Sequence, residues 1–356
     1  MASVDYKREL RDLIDIVVGE KGSDLHLSSG SHPIIRVTGS LVPLIKKPIL
    51  TTQDVDGFAR VLMLEQKYQD YIKNFEVDFS YAHADGIRFR GNGFFQNGAK
   101  AIALRLIPNT IRTLEELGLP PILESFVQRP QGFFLCVGPV GQGKSTTLAA
   151  LVDIINTDRS DHIVTIEDPI EYIYEQKKAL IVQREVGVDT VSFESALNSV
   201  FRQDVDVILV GEMRNAVTIA TAVTAAETGH LVLSTLHTNN AAQTIDRIID
   251  SFPGGQQDQI RVQLAGSLAG IFSQRLIPSI AGGLVPAYEL LINNNAVANL
   301  IRERRTHEIQ TLIETGLEHG MIDMNRSLSQ MVKNGIITVE NAFAYSTNPK
   351  GLERLM

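Results

Sequence analysis

The sequence predicts an α/β protein in two parts, a small α+β domain followed by a larger α/β core. Up to residue 107, short alternating strand patterns are interleaved with amphipathic helical ones. From residue 130 the texture changes to apolar runs of four to six residues, each leading through a polar turn into a helical pattern. Continuous apolar strands of that kind belong to sheets covered on both faces. At the first of these turns stands Gly138-Pro-Val-Gly-Gln-Gly-Lys-Ser145, the glycine-rich pattern of a phosphate-binding loop.

The elements follow in order. Leu10, Leu13, Ile14 and Val17 recur at i, i+3, i+4 and i+7 with charges between them, an amphipathic helix expected to stop at Gly19 or Gly22. Asp24–Leu27, Ile34–Val37 and Leu41–Leu44 are short strand patterns punctuated by Gly and Pro. Residues 52–73 are helical in pattern; Val77–Tyr81, Ile87–Phe95 and Ala101–Ile107 alternate as strands, with Gly91 and Gly93 expected at a bend. The first domain is therefore drawn at 1–107, and 108–121, bounded by Pro108 and Pro120-Pro121, as a linker with one helical turn at Leu114–Leu117. The second domain takes 122–356, with strands at Phe133–Val137, Ile163–Ile166, Val207–Val210 and Leu231–Leu236 and a helical C-terminal part from about 284.

Composition narrows the function classes. The 356 residues suit two domains, and 44% hydrophobic with 21% charged residues is enough to bury a core, which excludes disorder, collagen and coiled coil for the bulk of the chain. The single cysteine, Cys136, permits no internal disulfide and no cysteine-only zinc site, and its place within an apolar strand reads as a small buried hydrophobe. Low cysteine use fits a reducing cytoplasm. The opening MASVDYKRELRDLIDIVV has no apolar signal core, and no run of about 18 apolar residues predicts a membrane span. With 41 acidic against 33 basic residues, a net charge of −8 argues against direct, sequence-independent binding of nucleic acid.

The octet follows an apolar strand and opens the helical pattern Thr146–Ile155. Glycines let successive backbone N–H groups turn inward around phosphates, and the helix N-terminus adds a favourable dipole. Gly138, Pro139, Val140, Gly141, Gln142, Gly143, Lys144, Ser145, Thr146 and Thr147 are therefore the expected nucleotide-binding set; Lys144 is to reach the β- and γ-phosphates and Ser145 to hold Mg²⁺. The strand Val207–Val210 delivers Glu212, a candidate carboxylate for metal or water, while Glu167, Asp168 and Glu171 follow the strand Ile163–Ile166. His230 and His237 bracket Leu231–Leu236, and only His237, at the carboxyl end, is expected near the nucleotide by the strand-end rule. Arg88 and Arg90, two residues apart on a strand, share a face and form a basic stripe; Arg105 lies on the next strand.

Together these segments resemble the secretion ATPase superfamily, and within it the motors that retract type IV pili. The resemblance covers nearly the whole chain and rests on Ser23-Asp-Leu-His-Leu27, Arg88-Phe-Arg-Gly-Asn92, Leu114–Pro120, Gly138–Thr147, Glu167-Asp-Pro-Ile-Glu171, Gln183-Arg-Glu-Val186, Ala226-Glu-Thr-Gly-His230, Thr235-Leu-His-Thr238 and Asn299-Leu-Ile-Arg-Glu303. It implies a PAS-like N-terminal domain joined to a RecA-like P-loop ATPase domain, assembled as a ring-shaped homohexamer that hydrolyses ATP with Mg²⁺. It makes Glu171 the catalytic carboxylate that activates water, places Glu212 at the Walker B position and His230 and His237 in the family's His box, and matches Arg90 and Arg105 to arginines that reach the γ-phosphate. Arg202 matches a family arginine near the subunit boundary. The implied partners are an inner-membrane pilus platform protein of the PilC type and a PilU-type paralogue, and the implied location is the cytoplasmic face of the inner membrane at the pilus base. Pilus-extension and type II secretion motors usually carry a four-cysteine zinc insertion, which this chain lacks.

The chain departs from the family pattern at Gln142, where Ser is usual and where the side chain is expected to be dispensable, and at Asn198, Val205, Asn215 and Ala298. Ala298 replaces an arginine in the stretch that resembles the retraction signature. Two other classes stand beside the retraction motor: a RecA-like nucleic-acid motor, disfavoured by the acidic balance, and an assembly protein that binds ATP without turnover.

Overall fold

The computed structural model describes residues 5–108 and 110–356; residues 1–4 and Asn109, which fall in the expected first domain and linker, lie outside the described residues. The chain divides into two compact units, one running to Thr110 and taking in Pro169–Ile173, the other made of Ile111–Asp168 and Tyr174–Met356. The segment Pro169–Ile173, well inside the expected second domain, was not separable from it by pattern.

The first unit is an antiparallel sheet of β1 (Asp24–Ser28), β2 (Ile34–Val37), β3 (Ser40–Pro43), β4 (Glu76–Ala82), β5 (Arg88–Gln96) and β6 (Ala99–Ile107), in the order β3-β2-β1-β6-β5-β4. Helices α1 (Tyr6–Gly19), α2 (Thr52–Leu62) and α3 (Glu65–Asn74) belong to its core. Leu10, Ile14, Val17, Val55, Phe58 and Tyr71 from the helices pack with Leu25, Leu27, Phe89, Ile102 and Leu104 of the strands. The alternation that buries Leu25 and Leu104 sends Asp24 and Arg105 to the other face. The helical pattern at 52–73 is two helices, because Met63 is extended at φ −108°, ψ 142°. No bend forms at Gly91 and Gly93: β5 pairs without interruption with β4 and β6. These glycines make room instead, since a Cβ at Gly91 would lie 2.3 Å from the Phe79 ring and one at Gly93 2.7 Å from Met63.

The second unit is built on a seven-stranded sheet. Its strands are β7 (Gly132–Val137), β8 (His162–Glu167), β9 (Leu180–Glu185), β10 (Val207–Val210), β11 (Leu231–Leu236), β12 (Leu268–Pro278) and β13 (Leu284–Ile292), in the order β13-β12-β7-β11-β10-β8-β9. All pairs are parallel except β12 with β13. The short α4 (Glu124–Val127) precedes β7, and α5 (Lys144–Asp158), α6 (Phe193–Val200), α7 (Ala216–Glu227), α8 (Ala241–Asp250) and α9 (Gly254–Ser267) make the crossovers. β7, β10 and β11 are buried along their whole length, as their unbroken apolar runs require.

Residues 284–292, expected to begin the helical tail, are strand; the tail starts at α10 (Asn295–Arg302) and continues through α11 (Ile309–Thr315), α12 (Met324–Lys333), α13 (Val339–Tyr345) and α14 (Pro349–Glu353). β12 and β13 were hidden because buried Ser273, Gln274 and Glu289 break their apolar pattern. Among the described residues no helix is long and apolar enough to cross a membrane.

Glu289 is 3% exposed, and its Oε1 accepts a hydrogen bond of 2.9 Å from Ala241 N at the start of α8. Burial pushes its carboxyl up to about 7, from an ordinary 4.5. Between those values the unfolded carboxyl is ionised while the folded one holds its proton, so stability falls as pH rises from about 4.5 to 7 and stays lower above it. Glu289→Gln, which keeps the acceptor and removes the charge, is expected to melt higher than the native protein at pH 8 and at about the same temperature near pH 4.5. Parallel melting curves across that range would contradict the assignment.

Candidate nucleotide site

Strand β7 ends at Val137 and the loop 138–143 turns the chain into α5. Gly138 has φ +147° and Gly143 φ +78°. Space also forbids a side chain at Gly138, where a Cβ would lie 2.5 Å from the backbone Gln274 O; one on Gly143 would lie 2.9 Å from Gln274 Nε2 and would displace that side chain. Gly143 is also the N-cap of α5, so no side chain covers the first turn of that helix. An N-terminus of this kind presents backbone donors and the positive end of the helix dipole to an anion.

Lys144 is 7% exposed and donates from Nζ to Gly138 O and Pro139 O, each at 2.8 Å. Its Nζ lies 3.2 Å from His237 Nδ1, and His237 Nε2 lies 3.6 Å from Glu212 Oε2. Arg214 donates to Glu212 Oε1, and its guanidinium stands 3.9 Å from Asp168. Three residues singled out from the sequence, Lys144, His237 and Glu212, thus meet at the carboxyl ends of β7, β11 and β10, as the strand-end rule requires.

Within the second unit, His230 is not gathered there. His230 sits at the amino end of β11, so the strand's length, roughly 20 Å at about 3.3 Å per residue, separates it from His237. Its Nδ1 is 3.0 Å from Ala225 O, and its ring meets Phe201 edge-on at 5.6 Å. Arg202, exposed, follows Phe201 at the end of α6. Of the three acids after β8, Glu167 is buried and accepts from Thr165 Oγ1 at 2.7 Å, Asp168 belongs to the second unit, and Glu171 belongs to the first. Arg90 and Arg105 also belong to the first unit, where they are directly opposite each other on β5 and β6. Cys136 is fully buried, and burial pushes its thiol up to about 12, so it stays protonated.

Sequence reasoning missed Gln274. Its side chain, 3% exposed, donates to Gln142 O at 2.8 Å and accepts from Thr147 Oγ1 at 2.7 Å. Gln142 in turn accepts from Leu276 N at 2.7 Å through its side-chain oxygen. The expectation that the Gln142 side chain is dispensable is therefore corrected: it ties the loop to β12 from the other direction. The signal in the sequence was the polar run Ser273-Gln274-Arg275 inside an otherwise apolar stretch, and it discloses nothing until the partner is known.

The donor set suits a nucleotide: a lysine and backbone groups at an uncapped helix start. Among the described residues no group of three or more His, Cys, Asp or Glu is arranged to hold a metal ion. A magnesium ion that arrives with a nucleotide needs fewer, because phosphates and waters supply most of its ligands.

Fold and site define the class: a P-loop ATPase built on a mostly parallel sheet, with an antiparallel α+β unit before it. A family model described as "Type II/IV secretion system protein" matches residues 35–283, and the chain belongs to that nucleotide-hydrolysing family. It is 44% identical over 334 residues to the type IV pilus retractation ATPase PilT of Pseudomonas aeruginosa, covering 94% of this chain and 97% of that protein. It is 44% identical over 321 residues to a twitching motility protein of Neisseria gonorrhoeae, covering 90% and 86%. The crystal structure of the pilus retraction motor PilT with bound ADP superposes with a TM-score of 0.90 at 45% identity, over 96% of this chain and 98% of that one.

Removing the Gln274 side chain takes the Nε2 donor from Gln142 O, at a cost of about 1–3 kcal/mol for a group left unpaired, and leaves Thr147 Oγ1 only its longer bond of 3.2 Å to Gly143 O. Gln274→Ala is accordingly expected to weaken ADP binding by roughly ten-fold or more, measured by calorimetry. An unchanged affinity would mean that the loop holds its shape without β12.

Proposed function

We propose that this protein is an ATP-driven motor that retracts type IV pili, working as a homohexamer against an inner-membrane platform protein of the PilC type at the cytoplasmic face of the membrane. The observation that carries the reading is the contact chain Lys144–His237–Glu212 over the phosphate loop, in a chain whose relatives over nearly full length bear the names given above.

The roles follow from chemistry. Backbone N–H groups of 138–147 bind the phosphates, and Lys144 leaves its loop carbonyls to meet the β- and γ-phosphate oxygens. Ser145 and Glu212 would hold Mg²⁺, which supplies positive charge to the phosphates. Glu171 accepts a proton from the attacking water and aligns it with the γ-phosphorus. His237, between Lys144 and Glu212, responds when either moves toward substrate. Arg90 and Arg105 add positive charge at the γ-phosphate oxygens, where it counts most in the transition state. Arg202, at the far end of the sheet from the loop, acts at the boundary with the next subunit of the ring, and His230, at that same end, belongs to the His box with His237.

Lys144→Ala is expected to lose nucleotide binding, whereas Glu171→Ala should keep binding and lose turnover, read as phosphate release by the purified protein. A Glu171→Ala protein with native kcat would remove that residue from the chemistry. In the source organism, deletion of the gene should leave many surface pili and no twitching. Bald cells would indicate an extension motor, and unchanged pili with normal movement an accessory motor of the PilU type or another function.

A further inference from the structure

In the first unit, one face of the sheet carries a transverse row of charge. Arg90 on β5 is directly opposite Arg105 on β6, Arg105 is directly opposite Asp24 on β1, and Asp24 is directly opposite Arg36 on β2. Like charges facing each other across two strands destabilise a sheet, so the Arg90–Arg105 pair is not there for folding. Asp24 is what makes it tolerable. Its side chain is 9% exposed; Oδ1 accepts from Arg105 Nε at 2.9 Å, Oδ2 accepts from Ser23 Oγ at 2.7 Å, and Arg36 Nε stands 3.7 Å away. Burial alone would raise this carboxyl, but the hydrogen bonds from Ser23 and Arg105 and the charges of Arg105 and His26 hold it below its ordinary value, so it remains an anion at neutral pH.

The grip on Arg105 is one-sided. An arginine used only for structure commonly closes a two-pronged pair with a carboxylate. Here the carboxylate takes Nε from the stem side, while the Arg105 side chain is 73% exposed. One carboxylate stands in a row with three arginines and pairs with two of them, Arg105 and Arg36, so the row keeps a net positive charge.

We infer that Asp24 is a positioning residue for hydrolysis: it holds Arg105 by Nε beside Arg90 and leaves both terminal nitrogens of Arg105 to an anionic oxygen of the nucleotide's terminal phosphate. The inference rests on the reading of Arg105 as a γ-phosphate arginine. A stem held in advance costs no ordering when the phosphate charge develops, which is how a residue that never touches substrate changes kcat.

The test is a cycle of Asp24→Ala, Arg105→Ala and the double variant in the full-length protein, scored for kcat, ADP affinity and melting temperature, with Asp24→Asn as a second, shape-preserving variant. Asp24→Ala is expected to lower kcat about ten- to a hundred-fold, with ADP affinity within two-fold of native, and to add nothing in the Arg105→Ala background. Asp24→Asn, which keeps an oxygen acceptor at the same place, should recover part of the loss. If Arg105→Ala is impaired while Asp24→Ala and Asp24→Asn turn over at the native rate, or if Asp24→Ala costs the same factor in both backgrounds, the positioning role is overturned. If Arg105→Ala itself turns over normally, the reading of Arg105 falls and this inference with it.

Discussion

The close approach of the phosphate loop to β12 is the constraint on which the second unit depends. The loop must expose backbone donors toward a ligand while its other side lies against a buried strand. Gly138 can do this only without a side chain, because Gln274 O occupies the space a Cβ would need. The same geometry explains a polar residue in the middle of a core strand. Gln274 bonds Gln142 O and Thr147 Oγ1 at once, and a hydrophobic residue there would take the donor from Gln142 O, at about 1–3 kcal/mol for a group left unpaired, and leave Thr147 Oγ1 only Gly143 O.

Charge is handled differently in the two units. At the carboxyl ends of β7, β11 and β10, Lys144 meets His237, which stands beside Glu212, and from Glu212 to Arg214 and Asp168 opposite signs alternate. Such a chain keeps a buried lysine paired while leaving it free to exchange loop carbonyls for phosphate oxygens. On the first unit's sheet, Asp24 pairs with Arg36 and Arg105 while Arg90 stands opposite Arg105, and the balance is unequal: folding alone would be better served by a second carboxylate. An excess of fixed positive charge is useful only toward an anion.

How much of this was legible follows from how local each feature is. The phosphate loop, the strands β7, β8, β10 and β11 and the amphipathic α1 were readable because their signals lie within a few residues. The pairing of Lys144 with His237 was foreseeable only in part, from the rule that ligands gather at strand ends. β12 and β13 were not readable, because the residues that hold Gln142 and α8 are polar and interrupt the apolar pattern. Gly91 and Gly93 were misread as a bend because a glycine that admits a neighbouring ring has the same letter as one that turns the chain.

The sequence by itself determined the two-part α/β organisation, the nucleotide loop and the identity of its lysine, since periodicity and a contiguous octet are properties of neighbouring residues. Only the tertiary structure decided which side chains meet. At the loop, Gln274 lies 132 positions from Gln142 and His237 93 from Lys144; on the first unit's sheet, Arg105 lies 81 from Asp24. A hydrogen bond reaches about 3 Å, and nothing in the order of residues along a chain says which of them sheet register will bring within that distance.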